Sequence, residues 1–250
     1  MTAGLSAPEL AAVCAAVTLG YTVFGFGGFG ANLVALPMLA HVMSLRFAVP
    51  MLLLLDLVAA TLMGVRNRRL IDRGELVRLV PALLAGMGLG LVVLQHAAER
   101  WLLVLLGAFV GACALWSLLG RADPRPVAPR WAWPAGLAGG VFSGLFGTGG
   151  PVYTLYLARR IGDTARLRAT IGAIILGSAL ARLLLFAGSG LLLQPGLLPL
   201  AAMLLPGALV GYLIGSRLHA RLPQTQVRRM IWLLLLASAV SVMVRGVAGG

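Results

Sequence analysis

Two charged residues lie inside long apolar stretches of this sequence and are the first candidates for chemistry. Asp56 falls at the centre of the apolar segment 46–65, and Arg182 falls within the apolar segment 167–187. Charged side chains in such surroundings are costly and mark function by default. Arg182 can pair with an anionic ligand, and Asp56 can carry a proton. The competing interpretation is a structural Asp56–Arg182 ion pair, or an arginine whose head group reaches toward the surface.

Two glycine-rich breaks supply the second set of candidates. Both read F-G-x-G-G, at 24–28 and 146–150, an offset of 122 residues. Glycine adopts left-handed turn conformations and lets a ligand approach the backbone closely. A helix that begins after such a break presents unpaired N–H groups and about half a positive charge. These two glycine tips are therefore predicted to be anion-binding helix ends.

The residues that follow the tips fit this prediction. Pro151 suits the first helical position, because its missing N–H would be unpaired there. Thr148 offers a hydroxyl and Asn32 offers an amide. The alternative is that the glycines only allow helices to pack closely. The predicted binding residues are Gly25, Gly27, Gly28, Asn32, Gly147, Thr148, Gly149, Gly150, Pro151 and Arg182, with Asp56 as the coupling residue.

The elements that must position these residues are apolar helices. The chain has 250 residues, of which 60% are hydrophobic and 11% are charged, whereas soluble domains carry about 25% charged residues. A lipid span needs about 20 mainly apolar residues, and several stretches meet that length. The apolar segments are 8–24, 29–41, 46–65, 76–95, 101–119, 133–147, 151–158, 167–187, 197–216 and 229–245. The sequence therefore predicts an all-α polytopic membrane protein.

The net charge of +13 does not indicate a nucleic-acid partner. Every basic residue is an arginine, and the arginines lie in short clusters between apolar runs, as they do in cytoplasmic loops. Neither a metal site nor a cofactor is predicted. Cys14 and Cys113 lie inside apolar segments, and His41, His96 and His219 lie near segment ends without metal-ligand spacing.

Internal matches predict two homologous halves. Arg46 corresponds to Arg168 at the tip offset of 122. A second set of matches has an offset of 125 and pairs Pro81, Gly86 and Gly90 with Pro206, Gly211 and Gly215. The predicted divisions are a first repeat at 1–120, a cytoplasmic linker at 121–132 and a second repeat at 133–250.

The arginine distribution predicts the topology. If each broken pair is a hairpin that enters the membrane and returns, then the loops 66–78, 120–132, 159–168 and 217–229 share one side. They hold sixteen arginines, against three on the other side, which is the expected cytoplasmic bias. Each half is then a re-entrant hairpin plus three spans, so the second half is inverted, as in secondary transporters. Both termini are expected to be periplasmic, in a bacterial inner membrane.

The tip sequences resemble the TauE/SafE family of sulfite and sulfonate exporters. The resemblance rests on FGFGGFGANLVALP in the first half and on GLFGTGGPVYTLYL and LRATIGAIILGSALAR in the second. It extends over nearly the whole chain. It implies transport of small anions, such as sulfite or organosulfonates, across the bacterial inner membrane.

We therefore predict a secondary transporter that acts as an exporter, and its predicted partners are a small anion and the lipid bilayer. A homo-oligomer is left open. A passive anion channel shares the same site physics and is the first alternative. An intramembrane enzyme would need clustered reactive side chains at bilayer depth. Only Asp56 and Arg182 qualify, so we predict that the protein is not an enzyme.

Overall fold

The structure is a computed structural model that describes residues 5–28, 30–63, 68–119, 126–221 and 224–248. The side chains at 63, 68, 219–221, 224–231 and 234 also lie outside the described part. Two parts of the sequence prediction fall there: the terminal residues, and positions 121–125 of the predicted linker. The side chain of His219 likewise lies outside the described part.

The described chain is helical, and no strand occurs within its ranges. The helices are α1 (Ala7–Gly27), α2 (Ala31–Leu39), α3 (Leu45–Met63), α4 (Arg73–His96), α5 (Glu99–Leu119), α6 (Ala132–Phe146), α7 (Gly150–Ala158), α8 (Thr164–Gly188), α9 (Leu197–Arg221) and α10 (Gln224–Ala248). Six described helices are long and apolar enough to cross a bilayer, namely α1, α3, α4, α5, α8 and α9. The predicted all-α membrane protein is thus confirmed.

Helix lengths depart from the predicted segments at two places. The expected loop 217–229 is largely helical, because α9 continues to Arg221 and α10 begins at Gln224. Arginine and glutamine are good helix formers, so charge alone does not end a helix. In addition, α1 has 21 residues and could span a bilayer by length, whereas α2 and α7 have nine residues each and are too short.

The first compact unit comprises Met1–Leu55, His96–Arg121 and Leu191–Gly250. Its core pairs are α1 with α9 and α5 with α10. A Cβ atom at Gly25 would overlap the carbonyl oxygen of Tyr212, and one at Gly215 would overlap that of Thr22. Small residues let membrane helices approach closely, so these glycines set the α1–α9 contact.

The second compact unit comprises Asp56–Gln95 and Ala122–Gly190. Here α4 packs closely on α6, and glycines again allow the close approach. A Cβ atom at Gly86 would overlap the carbonyl oxygen of Leu137, and one at Gly90 would overlap that of Val141. An apolar cluster joins α4 and α6 to α7 and α8, and it includes Leu79, Leu83, Met87, Tyr153, Tyr156, Leu157 and Ile174.

The compact units do not coincide with the halves 1–120 and 133–250 read from the sequence. Each unit takes helices from both halves, since α9 and α10 lie in the first unit and α4 lies in the second. The division into homologous halves concerns sequence rather than contact, and it stays a prediction.

Candidate functional site

The second glycine tip is a turn between α6 and α7. Gly147 ends α6 in the left-handed region, at φ 69°, which glycine adopts without a steric penalty. Its N–H donates to the Ser143 carbonyl at 2.9 Å, and the N–H of Thr148 donates to the Phe142 carbonyl at 3.2 Å. Helix α7 then begins at Gly150, with Pro151 in its first turn. The helix start predicted from Pro151 is therefore confirmed.

After this tip the chain turns back, so that α7 packs against α6. A Cβ atom at Gly149 would overlap the Gly139 carbonyl oxygen and the Ser143 hydroxyl. A Cβ atom at Gly139 would lie 3.1 Å from the Tyr153 ring. Close packing therefore requires glycine at 149, and a role for its N–H in binding stays a prediction.

Thr148 has a structural partner. Its side chain is buried, and its hydroxyl donates to the Phe142 carbonyl across 3.4 Å. The N-cap of α7 is Gly149, and no side chain caps the helix. The N–H of Val152 donates to the Gly149 carbonyl at 3.1 Å, and Pro151 has no N–H. No side-chain oxygen offsets the partial positive charge at the start of α7.

The two predicted intramembrane charges form a pair within the second unit. Arg182 is only 4% exposed, and its Nη2 lies 3.3 Å from Asp56 Oδ2. The Nε and Nη1 groups of Arg182 are buried and have no hydrogen-bond partner among the described residues. Arginine has five N–H donors, and a buried donor without an acceptor is costly. The pair thus leaves much of the guanidinium unsatisfied.

Two hydroxyl residues join this pair, and the sequence reasoning missed both. The buried phenol of Tyr153 lies close enough to interact with Arg182, Ser178 and Asp56. Ser178 is one turn before Arg182 on α8, and its hydroxyl donates to the Ile175 carbonyl at 2.9 Å. Tyr153 belongs to the first turn of α7. The helix after the second tip therefore begins within electrostatic range of the guanidinium.

The chemistry of this cluster suits a small oxyanion. The buried guanidinium with unsatisfied donors, the two hydroxyl groups and the helix start favour negative charge, whereas the Asp56 carboxylate opposes it. No group of three or more His, Cys, Asp or Glu side chains that could hold a metal ion occurs in the described part of the chain. We name Asp56, Tyr153, Ser178 and Arg182 the Arg182 cluster.

The first tip has a similar turn within the first unit. Gly28 is left-handed at φ 78° and its N–H donates to the Phe24 carbonyl at 2.7 Å. Gly30, at φ 99°, precedes α2. A Cβ atom at Gly20 would lie 2.7 Å from the Ala31 carbonyl oxygen, so α2 turns back against α1. Asn32 is buried in the first turn of α2.

The predicted binding glycines of the first tip have different surroundings. Gly25 packs against α9, which explains a glycine there without a ligand. A Cβ atom at Gly27 would meet no described atom within 4 Å. The left-handed glycines that end α1 and α6 are Gly28 and Gly147, which are 119 rather than 122 residues apart.

Comparison with known proteins gives one family and one curated relative. The family described as "Sulfite exporter TauE/SafE" matches residues 12–242. The "Probable inner membrane transporter protein TsaS" of Comamonas testosteroni is 28% identical over 192 residues, which cover 76% of this chain and 80% of that protein. No solved structure gives a significant match.

Proposed function

This chain belongs to the TauE/SafE sulfite exporter family, and we propose from that premise that it exports small anions such as sulfite or organosulfonates. It is a membrane transporter protein by family. The finer assignment is a secondary transporter of the bacterial inner membrane, where the name of its relative places that protein. The observation that carries the proposal is the buried guanidinium of Arg182, whose Nε and Nη1 lack partners among the described residues.

An anion at the Arg182 cluster would satisfy those donors. Arginine binds carboxylates, phosphates and, by the same geometry, sulfonates through N–H···O bonds that are stronger than neutral hydrogen bonds. The start of α7 adds partial positive charge, and the Tyr153 hydroxyl, within electrostatic range of Arg182, offers a further donor. We propose that the first tip also binds the anion. Its helix α2 starts after Gly28 and Gly30, and Asn32 lies in the first turn of α2.

Charge balance gives Asp56 its proposed role. Asp56 and Arg182 neutralise each other while they are paired. A monoanion bound to Arg182 would leave the buried cluster with one excess negative charge, and such a charge is expensive away from water. Protonation of Asp56 restores neutrality. The anion and a proton would then bind together and cross as a neutral pair, so export runs down the combined gradient of the two and an inward proton gradient opposes it.

The repeat and its inversion are part of this proposal, with a corrected register. Helices α2 and α7 begin at Ala31 and Gly150, and α3 and α8 begin at Leu45 and Thr164, so both pairs are 119 residues apart. The last pair, α5 and α10, is 125 residues apart. We therefore propose an offset of 119 for these elements in place of 122, which aligns Arg46 with Ala165 instead of Arg168. Two fold-back hairpins with three longer helices each support inverted repeats.

Helix contacts support the same register. Gly86 of α4 meets Leu137 of α6, and Gly211 of α9 meets Thr18 of α1. Leu137 and Thr18 are again 119 residues apart, while Gly86 and Gly211 are 125 apart, as the sequence matches predicted. Duplicated halves should exchange equivalent contacts in this way. Re-entry of each hairpin into the membrane remains part of the proposal.

Proteoliposome flux tests the function. Purified protein is reconstituted with a pH gradient, and accumulation of sulfite, sulfonates, thiosulfate and carboxylates is measured. Arg182→Ala should nearly abolish accumulation, and Arg182→Lys should weaken affinity, because lysine lacks the planar fork of arginine. Arg168→Gln is the matched control, since Arg168 is exposed on the same helix. If the anion never accumulates beyond the level set by its own electrochemical gradient, the result would favour a channel.

A double variant separates binding from structure. If Asp56 and Arg182 form only a structural pair, each single neutral variant leaves a lone buried charge, and the double variant Asp56→Asn, Arg182→Gln recovers transport. The proposal predicts folded double-variant protein without transport. Restored transport would eliminate Arg182 as a binding residue. Asp56→Asn alone should keep anion exchange but lose accumulation driven by the pH gradient.

A further inference from the structure

A buried carboxylate in the second unit has no role in the site described above. Glu75, in the first turn of α4, has a side chain that is only 5% exposed. Its Oε1 accepts from Arg160 Nε at 3.0 Å, from Arg160 Nη2 at 2.8 Å and from Arg78 Nη1 at 2.9 Å. The Tyr156 hydroxyl donates to Oε2 at 2.5 Å. We name Glu75, Arg78, Tyr156 and Arg160 the Glu75 latch.

The Glu75 latch joins three stretches of chain. Tyr156 lies near the end of α7, Arg160 lies just beyond that end, and Glu75 belongs to α4. Arg160 Nη1 also donates to the Val127 carbonyl at 3.2 Å, which adds the segment before α6. Hydrogen bonding to Glu75 raises the pKa of Arg160, so this guanidinium stays charged. One carboxylate thus holds the C-terminal end of α7. The first turn of the same helix carries Tyr153, a member of the Arg182 cluster.

Stability alone does not account for such a contact. A buried ion pair is often no more stabilising than apolar side chains of similar size, because both charges lose their hydration. Breaking part of it leaves a buried charge unpaired, which is costly, so we expect its members to separate together. The Arg78 side chain is 49% exposed and that of Arg160 is 23% exposed. Both guanidinium groups are therefore near enough to water to be hydrated when the contact opens.

Helix α7 connects the latch to the Arg182 cluster. It has only nine residues, its last turn carries Tyr156, and its first turn carries Tyr153, which lies within electrostatic range of Arg182. A displacement of the C-terminal end of α7 would therefore also shift the side chains next to the bound anion. Bistable contacts of this kind convert small shifts into changes between two states.

We propose that the Glu75 latch closes one end of the transport path and must open in every transport cycle. The inference rests on the proposed transport function and deepens it, because it names the contact that controls access to the Arg182 cluster. In this proposal one movement of α7 couples binding of the anion at its first turn to opening of the latch at its last turn.

A reversible cross-link tests the latch. In a background with Cys14→Ser and Cys113→Ser, the variant Glu75→Cys, Tyr156→Cys is treated with a short reducible bis-methanethiosulfonate. Sulfite and sulfonate flux is measured in proteoliposomes before treatment, after treatment and after dithiothreitol. We expect the cross-link to slow flux by about tenfold or more and dithiothreitol to restore it. A cross-link across a contact that never opens would change nothing.

A second pair and a control complete the experiment. Arg78→Cys, Arg160→Cys keeps Glu75 and Tyr156, and its two positions converge on the same oxygen atom. The control Arg73→Cys, Val77→Cys places both thiols on exposed positions of α4 alone, so its cross-link should leave flux unchanged.

The outcomes separate the latch from the transport function. Undiminished flux in both cross-linked latch pairs, with the parent protein active, overturns the latch and leaves the transport proposal standing. The latch is proposed only to hold one state closed, so transport should continue when its side chains are replaced. A cysteine pair that folds but transports no anion before cross-linking would therefore also contradict the proposal. Absence of flux in the parent protein for every anion overturns the proposed function, and the latch with it.

Discussion

Gly149 and Gly27 both belong to predicted binding tips, yet their surroundings in the structure differ. A Cβ atom at Gly149 would overlap the Gly139 carbonyl oxygen and the Ser143 hydroxyl, whereas one at Gly27 would meet no described atom. Gly149→Ala should therefore lower the free energy of unfolding by about 1–3 kcal/mol and reduce transport. Gly27→Ala should leave both near the parent values. Thermal unfolding in detergent and proteoliposome flux measure the two effects.

The matched glycine pair has a clear contrary result. Equal tolerance of alanine at both positions would mean that α7 does not pack against α6 as described. Loss of transport in a stable Gly27→Ala variant would instead show that the open space beside Gly27 is occupied by substrate during transport.

Residue types explain which side chains the sequence could reveal. Asp56 and Arg182 were found because charges inside apolar segments are rare. Tyr153 and Ser178 were missed because tyrosine and serine are ordinary in membrane helices. Glu75 lies at the boundary of a predicted segment and resembled a loop charge. It is buried by Tyr156 and Arg160, which are 81 and 85 residues away, and no local pattern reports such distant partners.

At the scale of elements, the α4–α6 contact makes a prediction with an internal control. A Cβ atom at Gly86 would overlap the Leu137 carbonyl oxygen, while one at Gly88, on the same helix, would meet no described atom within 4 Å. Gly86→Ala should destabilise the protein by about 1–3 kcal/mol, because the helices must separate. Gly88→Ala should cause no loss, since alanine is the better helix former. Thermal unfolding of both variants in the same detergent gives the comparison.

A stable Gly86→Ala variant would contradict this close approach. The analogous α1–α9 contact allows a replicate, because a Cβ atom at Gly211 would overlap the Thr18 carbonyl oxygen. If the two contacts are copies of one ancestral contact, Gly211→Ala should cost about as much as Gly86→Ala.

Helix positions were largely predictable, and their partners were not. Apolar runs fix where helices lie, because a lipid span needs a minimum length. The tip motif F-G-x-G-G recurs at an offset of 122, whereas the left-handed glycines that end α1 and α6 are 119 residues apart. A motif match ignores backbone conformation, and φ decides which glycine ends the helix.

At the scale of the whole molecule, composition established the class of protein. A chain with 11% charged residues and runs of span length has few soluble solutions, so the helical membrane fold followed directly. The exchange of helices between the halves did not follow. Duplicated segments do not state which helix packs on which, since that depends on the faces where glycines such as Gly86 and Gly215 lie.

The proposed topology makes the last prediction, and α8 tests it with two positions on one helix. Helix α8 has 25 residues, so it is about 37 Å long at 1.5 Å per residue and can cross a bilayer. Gly162 and Gly188 lie just before its start and at its end; both are exposed, and a Cβ atom at either meets no described atom within 4 Å. Gly162→Cys and Gly188→Cys are made separately in the background without native cysteines.

An impermeant thiol reagent added to intact cells should label Cys at 188 and not at 162. The reason is that the arginine-rich segment 159–168 is expected on the cytoplasmic side, where positive loops are retained. Permeabilised cells serve as the control, because both positions should then react. Labelling at 162 alone would reverse the orientation of α8 and place the Glu75 latch, which includes Arg160, at the periplasmic end of the transport path. Labelling at both positions in intact cells would mean that α8 does not cross the bilayer, and the inverted repeat would fail with it.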